Sequence, residues 1–216
     1  MKTVLKLTAM TAFLISTSAL ATKSGAYIGL NLGYGGMDTA QLTKNSFRNE
    51  VSSSASLRGF AGRINAGYLW SQSSLNYGIE LGYATYANNQ YSALGKNGEK
   101  YNFTYKGYNI DLLGIAQYNF SPNWNILAKA GVAYVSQTTS GSNEFSHVFA
   151  NKSKLLPEVA LGLGYEFTNG IGLNLTASHI FGNQSTFAGN NNQTIKNNLN
   201  KVSPVDMVTV GVNYNF

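Results

Sequence analysis

The sequence predicts an all-β fold: an eight-stranded antiparallel up-and-down transmembrane β-barrel. Three observations carry this. Apolar residues alternate with small or polar ones, with period two, through eight separate runs. The connections between those runs alternate between long and short. Charge is also scarce: 11% of the 216 residues are Asp, Glu, Lys or Arg, where a soluble domain carries roughly 25%. Tyrosine reaches 14 and glycine 23. A soluble enzyme stays in water through a densely charged surface. Strands that face lipid on one side and a packed interior on the other need no such surface.

The chain opens with MKTVLKLTAMTAFLISTSALA, which reads as a secretory leader. Lys2 and Lys6 form a positive start, Leu7 to Ile15 a short apolar core, and Ala19-Leu20-Ala21 a cleavage site. Residues 1–21 are therefore expected to be a signal peptide and 22–216 the barrel. Cleavage would leave 216 − 21 = 195 residues and lower the formal charge from +6 to +4, since two lysines go. The leader's apolar run is shorter than the ~20 residues of a spanning helix, and no later run reaches ~18, so any membrane is crossed by strands. The chain has no cysteine, which removes disulfides, thiol nucleophiles and Cys-ligated metals. Two histidines, His147 and His179, are too few for a histidine metal site. No cofactor is expected.

The eight expected strands are Gly25–Gly35, Leu57–Trp70, Asn76–Tyr86, Tyr101–Phe120, Asn125–Val135, Leu155–Phe167, Ile171–Phe181 and Val202–Phe216. In the first, Ile28, Leu30, Leu32 and Tyr34 oppose Tyr27, Gly29, Asn31 and Gly33. In the third, Tyr77, Ile79, Leu81 and Tyr83 oppose Gly78, Glu80 and Gly82. The fifth sets Ile126, Ala128, Ala130, Val132 and Tyr134 against Lys129, Gly131 and Ala133. The sixth sets Val159, Leu161, Leu163 and Tyr165 against Glu158, Ala160, Gly162, Gly164 and Glu166. The fourth run carries apolar groups on both faces, which suggests a bulge or an extended rim.

The connections Gly36–Ser56, Ala87–Lys100, Ser136–Lys154 and Gly182–Lys201 are long; Ser71–Leu75, Ser121–Trp124 and Thr168–Gly170 are short. In a meander, alternate connections fall at opposite ends. All four long ones therefore share one end, and the tight turns and both termini share the other. Outer-membrane barrels have this asymmetry, with the turns in the periplasm. The long connections are rich in Asn, Ser, Thr and Gly, a composition that buries no core, so they read as mobile loops.

Alternation alone does not say which face points inward. A soluble ligand-binding barrel would hide the apolar face. Here the other face is mostly Gly, Ala and Asn, which suits a narrow lumen rather than a solvated surface. Tyr34, Tyr68, Trp70, Tyr77, Tyr165 and Tyr214 lie near strand ends on the apolar face, where interfacial aromatic girdles form.

The chain ends VTVGVNYNF, with Val208, Val210, Val212, Tyr214 and Phe216 on one face. This resembles the C-terminal recognition strand of bacterial outer-membrane proteins. The YIGLNLGYGG run, the GYNIDLLG and ILAKAGVAYV runs and the terminal Phe together resemble the opacity-protein and outer-membrane-protein-A-type family of small eight-stranded barrels. The resemblance implies a monomer in the outer membrane, with both termini periplasmic. It also implies that the barrel-assembly machinery reads Val208, Val210, Val212, Tyr214 and Phe216. The peptidoglycan-binding domain found in outer membrane protein A is not expected, because the sequence stops at the last strand.

The small-residue face offers Arg63, Glu80, Asp111, Lys129, Glu158 and Glu166. A charge in a narrow lumen needs partners, so these six are expected to form an ion-pair network. Lys129 is expected to meet Glu80 or Glu158. Catalysis is not expected. The lipid A deacylases place His and Ser two residues apart on one strand face, whereas here Phe149 follows His147 and Phe181 follows His179. His147 lies in an expected loop, and His179 reads as an interfacial polar group.

The long connections carry Lys44, Arg48, Lys96, Lys100, Lys152, Lys154, Lys196 and Lys201 against Asp38, Glu50, Glu99 and Glu144, or 8 − 4 = +4. Such a surplus suits outer-membrane lipid and lipopolysaccharide phosphates, or acidic host glycans and receptors. Nucleic acid is not an expected partner. The functional expectation is a structural or surface-interaction barrel of the adhesin or opacity kind. A narrow gated pore with a charged lumen is the alternative.

Overall fold

The computed structural model describes residues 24–39, 50–95, 100–141, 150–183 and 201–216. The expected leader and His147 lie outside these residues. Ten strands run in chain order: β1 (Gly25–Met37), β2 (Glu50–Ser56), β3 (Gly59–Gln72), β4 (Leu75–Tyr86), β5 (Asn89–Gly95), β6 (Lys100–Asn119), β7 (Trp124–Gly141), β8 (Ala150–Glu166), β9 (Ile171–Ile180) and β10 (Val205–Asn215). Eight of them close a ring, β1-β3-β4-β6-β7-β8-β9-β10, and β10 returns to β1 in an unbroken antiparallel register from Tyr27↔Asn215 to Met37↔Val205. Closure satisfies every wall strand on both sides, which hydrocarbon demands. No helix among the described residues is long and apolar enough to cross a membrane.

The turn end follows the sequence closely. β3 and β4 are joined by Ser73-Ser74 alone, with Ser73 left-handed at φ 56°. The other end corrects it. The long connections are not loops throughout. β2 pairs with β5, and β5 with the first residues of β6. β7 continues to Gly141, where it still pairs with Phe103, and β8 begins at Ala150. The fourth expected run is accordingly an extended rim, not a bulge. Segments without an apolar face become strand here because each finds a backbone ladder to join, and a ladder asks only for N–H and C=O groups.

The wall is therefore uneven. β6 has 20 residues and β9 has 10, and roughly 9–11 suffice to cross a bilayer. Beside β9 and β10 the wall stops early for a local reason. The Phe181 amide donates to the Pro157 carbonyl at 2.9 Å, so Pro157 turns its own nitrogen, which has no hydrogen, towards β9. The β8–β9 ladder ends at Glu158↔Ile180. Pro204 delays β10 in the same way: its start, expected at Val202, is Val205.

Facing follows the alternation. Leu81 is 56% exposed while its neighbour Glu80 is 1% exposed. Apolar side chains cover the outside, and the charges lie within. At the turn end Trp70 contacts Tyr68 and Tyr77, with centroids 5.1 and 5.7 Å away. Tyr165 likewise contacts Trp124 and Phe167 at 5.1 and 4.9 Å. At the opposite end Tyr83 meets Tyr108 at 5.8 Å. On β4 only Ile79 and Leu81 face outward between Tyr77 and Tyr83. Six residues of strand span about 20 Å, which at a tilt of about 40° rises about 15 Å and falls inside an apolar band about 25 Å tall.

Leu81→Arg places a cation in the middle of that band and is expected to cost about 2–4 kcal/mol. The urea midpoint of refolded protein in lipid vesicles measures it. A midpoint equal to that of the native protein would show that Leu81 does not face hydrocarbon.

Candidate functional site: a filled lumen and a charged outer rim

The lumen is built around Glu80 on β4. Its Oε1 accepts from Arg63 Nη2 at 2.8 Å and from Lys129 Nζ at 2.7 Å. Its Oε2 accepts from Lys129 Nζ at 2.9 Å, Tyr27 Oη at 2.6 Å and Asn65 Nδ2 at 2.8 Å. Arg63, on β3, also donates through Nη2 to Asp111 Oδ1 at 2.5 Å and through Nε to Asp111 Oδ2 at 3.3 Å. Asn109 donates to Asp111 at 3.1 Å, and Asn31 to Asn65 at 2.7 Å. Arg63, Glu80 and Asp111 are all buried. Gly82 makes room for them, since a Cβ there would collide with the Arg63 guanidinium and the Asp111 carboxylate.

Four of the six sequence-predicted charges thus meet: Arg63, Glu80, Asp111 and Lys129. Lys129 takes Glu80, not Glu158. Glu158 is 1% exposed, and its Oε2 accepts no hydrogen bond. It borders a cavity of about 20 Å³ that Arg63 and Lys129 also line. Glu166 shares the inward face but sits at the turn end, where its Oε1 accepts from Gln117 at 2.8 Å and Asn125 at 3.3 Å. A second cavity, of about 30 Å³, lies between that group and Glu80. Each holds one or two waters by volume. Tyr27, Asn65, Asn31 and Asn109 were not singled out in the sequence. Their position on the small-residue face was the available signal.

Apolar groups close the lumen on both sides of this charged belt. At the long-connection end Met37, Tyr86, Tyr91, Tyr105, Val135, Leu156, Ile180 and Val205 form one buried cluster. Towards the turns, Tyr27, Leu69 and Ile115 form another. Burial pushes the Tyr91 phenol, on β5 at the long-connection end, up from its ordinary pKa.

The long-connection end carries a second polar group. Asp206 Oδ2 accepts from Arg58 Nη2 at 2.9 Å, and Asp206 Oδ1 lies 2.6 Å from His179 Nδ1. Asp38 stands 3.9 Å from Arg58, and Phe181 meets the His179 ring edge-on at 4.6 Å. Sequence analysis placed His179 near an interface but did not find its partners. The residues of the strand expected to be read by the assembly machinery face outward: Val208, Val210, Val212 and Phe216 are exposed, and the Tyr214 and Phe216 rings meet at 5.1 Å. Among the described residues no group of three His, Asp or Glu side chains could hold a metal.

An apolar belt outside, a packed polar interior and full closure define a transmembrane β-barrel of the bacterial outer membrane. The chain belongs to the outer membrane protein beta-barrel domain family, which it matches over residues 6–216. It is 27% identical over 267 aligned residues to an uncharacterized protein of Coxiella burnetii, covering 100% of this chain and 99% of that protein. Among solved structures it resembles Neisserial surface protein A, with TM-score 0.50, 14% identity and 89% and 98% of the two chains covered. It also resembles the attachment invasion locus protein of Yersinia pestis in complex with the heparin analogue sucrose octasulfate, with TM-score 0.49, 10% identity and coverage of 90% and 100%.

Removing one partner from a buried pair costs about 3–5 kcal/mol, and Lys129→Met is expected to fall in that range. In a double-mutant cycle on denaturant midpoints, Lys129→Met and Glu80→Gln should couple by about 0.5–3 kcal/mol. Lys129→Met should be more nearly additive with Glu166→Gln. Equal coupling to both acids would contradict the belt. Gly82→Ala, conservative in composition, is expected to destabilise more than Gly62→Ala, whose Cβ would meet only ordinary contacts. The same denaturation assay compares the two.

Proposed function

We propose that this barrel is a surface-interaction protein of the outer membrane, adhesin-like or opacity-like, working through the rim at its long-connection end. The termini and tight turns face the periplasm in this reading, and the long connections face outward. One observation carries it: β2, β5 and the extended ends of β6, β7 and β8 all lie at the long-connection end, while the lumen beneath them is filled. Strand length beyond the crossing is spent at one end only, and Lys152 and Lys154 lie in that raised wall on β8. The basic surplus of the long connections suits lipopolysaccharide phosphates or acidic host glycans and receptors. The protein works as a monomer. The barrel-assembly machinery reads Val208, Val210, Val212, Tyr214 and Phe216, and residues 1–21 are removed on export. The reading assigns no catalytic role and no nucleic acid partner.

Planar-bilayer recording of refolded protein, paired with binding of whole cells to sulfated glycans, tests the function. Electrical silence together with rim-dependent binding is the expected result. Steady unitary currents without binding would replace this reading with the gated pore. The assembly role has its own test. Phe216→Ser should lower the outer-membrane level of the protein several-fold while periplasmic export continues, as cell fractionation reports. Undiminished outer-membrane levels would remove the terminal aromatic from the signal.

A further inference from the structure

The low side of the wall ends in two short segments that reach inward at the mouth of the lumen. Asp38 and Thr39 follow β1, and Val202, Ser203 and Pro204 precede β10. The β1–β10 ladder ends at Met37↔Val205. Beyond it the Asp38 amide donates to the Pro204 carbonyl at 2.8 Å, so the two segments are tied to each other. Thr39, Val202 and Ser203 are buried, although none of them lies in a strand.

Each segment is held by a side-chain amide from the tall side. Gln137, on β7, donates through Nε2 to the Ser203 carbonyl at 2.8 Å and accepts from the Ser203 amide through Oε1, also at 2.8 Å. β8 and β9 stand between β7 and β10 on the ring, so this contact spans the mouth and extends no ladder. A carboxamide carries a donor and an acceptor side by side, which is how it grips the N–H and C=O of one residue at once. Asn89, on β5, donates through Nδ2 to the Met37 carbonyl at 2.8 Å and to Thr39 Oγ1 at 2.6 Å. The Thr39 hydroxyl also bonds the Tyr91 hydroxyl. Gly182 lets the second segment lie close, since a Cβ there would strike the backbone of Val202, Ser203 and Pro204. Beneath, Val202 joins Tyr86, Val135, Leu156 and Ile180 in the buried apolar cluster.

We propose that these two segments form a lid over the lumen at the long-connection end, latched by Gln137 and Asn89, which opens while the barrel wall stays closed. The wall strands are held by continuous ladders on both sides. The lid is held by isolated backbone bonds and two side chains, and a segment held in that way opens at far less cost than a laddered strand. Opening exposes an apolar cup around Val135 and Ile180. The belt of Glu80, Arg63 and Lys129 stays in place as its floor, so the lid uncovers a cup and not a conduit.

The chain has no cysteine, so a single introduced thiol reports access. Val135→Cys places it under the lid, two residues from Gln137 on the inward face of β7, and Ile115→Cys places it in the cluster towards the turns. The full barrel carrying either thiol is refolded in detergent and labelled with a charged methanethiosulfonate reagent, with the rate read by mass spectrometry. Gln137→Leu and Asn89→Leu should each speed labelling at Val135→Cys about tenfold and leave Ile115→Cys unchanged. Thr138→Val, beside Gln137 but on the outward face, should change neither rate. Gel mobility before and after boiling shows that each variant keeps a closed barrel. Unchanged labelling at Val135→Cys, or equal acceleration at both positions, would overturn the lid. Hydrogen exchange of the native protein gives the same answer without a variant. The Ser203 amide should exchange at least about tenfold faster than the amides of β7, and equal rates would make the segment part of the wall.

Discussion

The barrel depends on one carboxylate. Glu80 sits where a charge is most expensive, in a packed lumen, and becomes tolerable only because four side chains converge on it. Tyr27 comes from β1, Arg63 and Asn65 from β3, and Lys129 from β7, two strands beyond β4 and four from β1 on the ring. A buried ion pair gains little over an apolar packing of the same volume. What it does supply is register: a strand slipped by one residue would turn its member of the set to the lipid and leave a charge stranded there. The belt therefore links opposite walls more strictly than Leu or Ala could. The glycines of the inner face follow from it. Gly67 gives the Tyr27 ring its place, and Gly82 does the same for Arg63 and Asp111.

The same belt bears on the pore reading. Charges inside a barrel suggest a conduit only if water reaches them. Here they lie between two apolar clusters, and the neighbouring cavities each hold a water or two. The polar interior is the consequence of turning a soluble protein inside out. The apolar surface is spent on lipid, so the inside is filled with short, mutually satisfied polar groups. Glu158 Oε2, Asn109 Oδ1 and Asn213 Oδ1 are among the buried atoms that this packing leaves without a hydrogen-bond partner.

The sequence was legible wherever period and spacing carry the information. Alternation named the inward face correctly on β1, β4, β7 and β8, and the tight turns fell where expected. Alternation gives a face, not a height. Glu166 shares its face with Glu158 yet lies at the other end of the lumen, with Gln117 and Asn125. Register was equally hidden, so the choice of Lys129 between Glu80 and Glu158 could not be made before the strands were paired. β2 was missed because EVSSSAS has no apolar period. Its order comes from the β5 ladder beside it. Arg58, just before β3, His179 on β9 and Asp206 on β10 are far apart in sequence, and each alone reads as an ordinary strand-end polar residue.

The uneven wall and the polar cluster of Arg58, Asp206 and His179 have a common origin. Two prolines, Pro157 and Pro204, withhold amides just where the ladders of β8 to β9 and of β10 would otherwise climb. That side of the barrel stops at Glu158↔Ile180, while β6 and β7 stay paired as far as Phe103↔Gly141. Polar side chains at the stopped ends cannot pair within a taller sheet, so they gather outside the wall as Arg58, Asp206 and His179. The tall side has no such need, because its polar residues extend into water on paired strands. A barrel of uniform height would have one kind of rim. This one has two, a high wall at β6 and β7 and a low wall at β9 and β10.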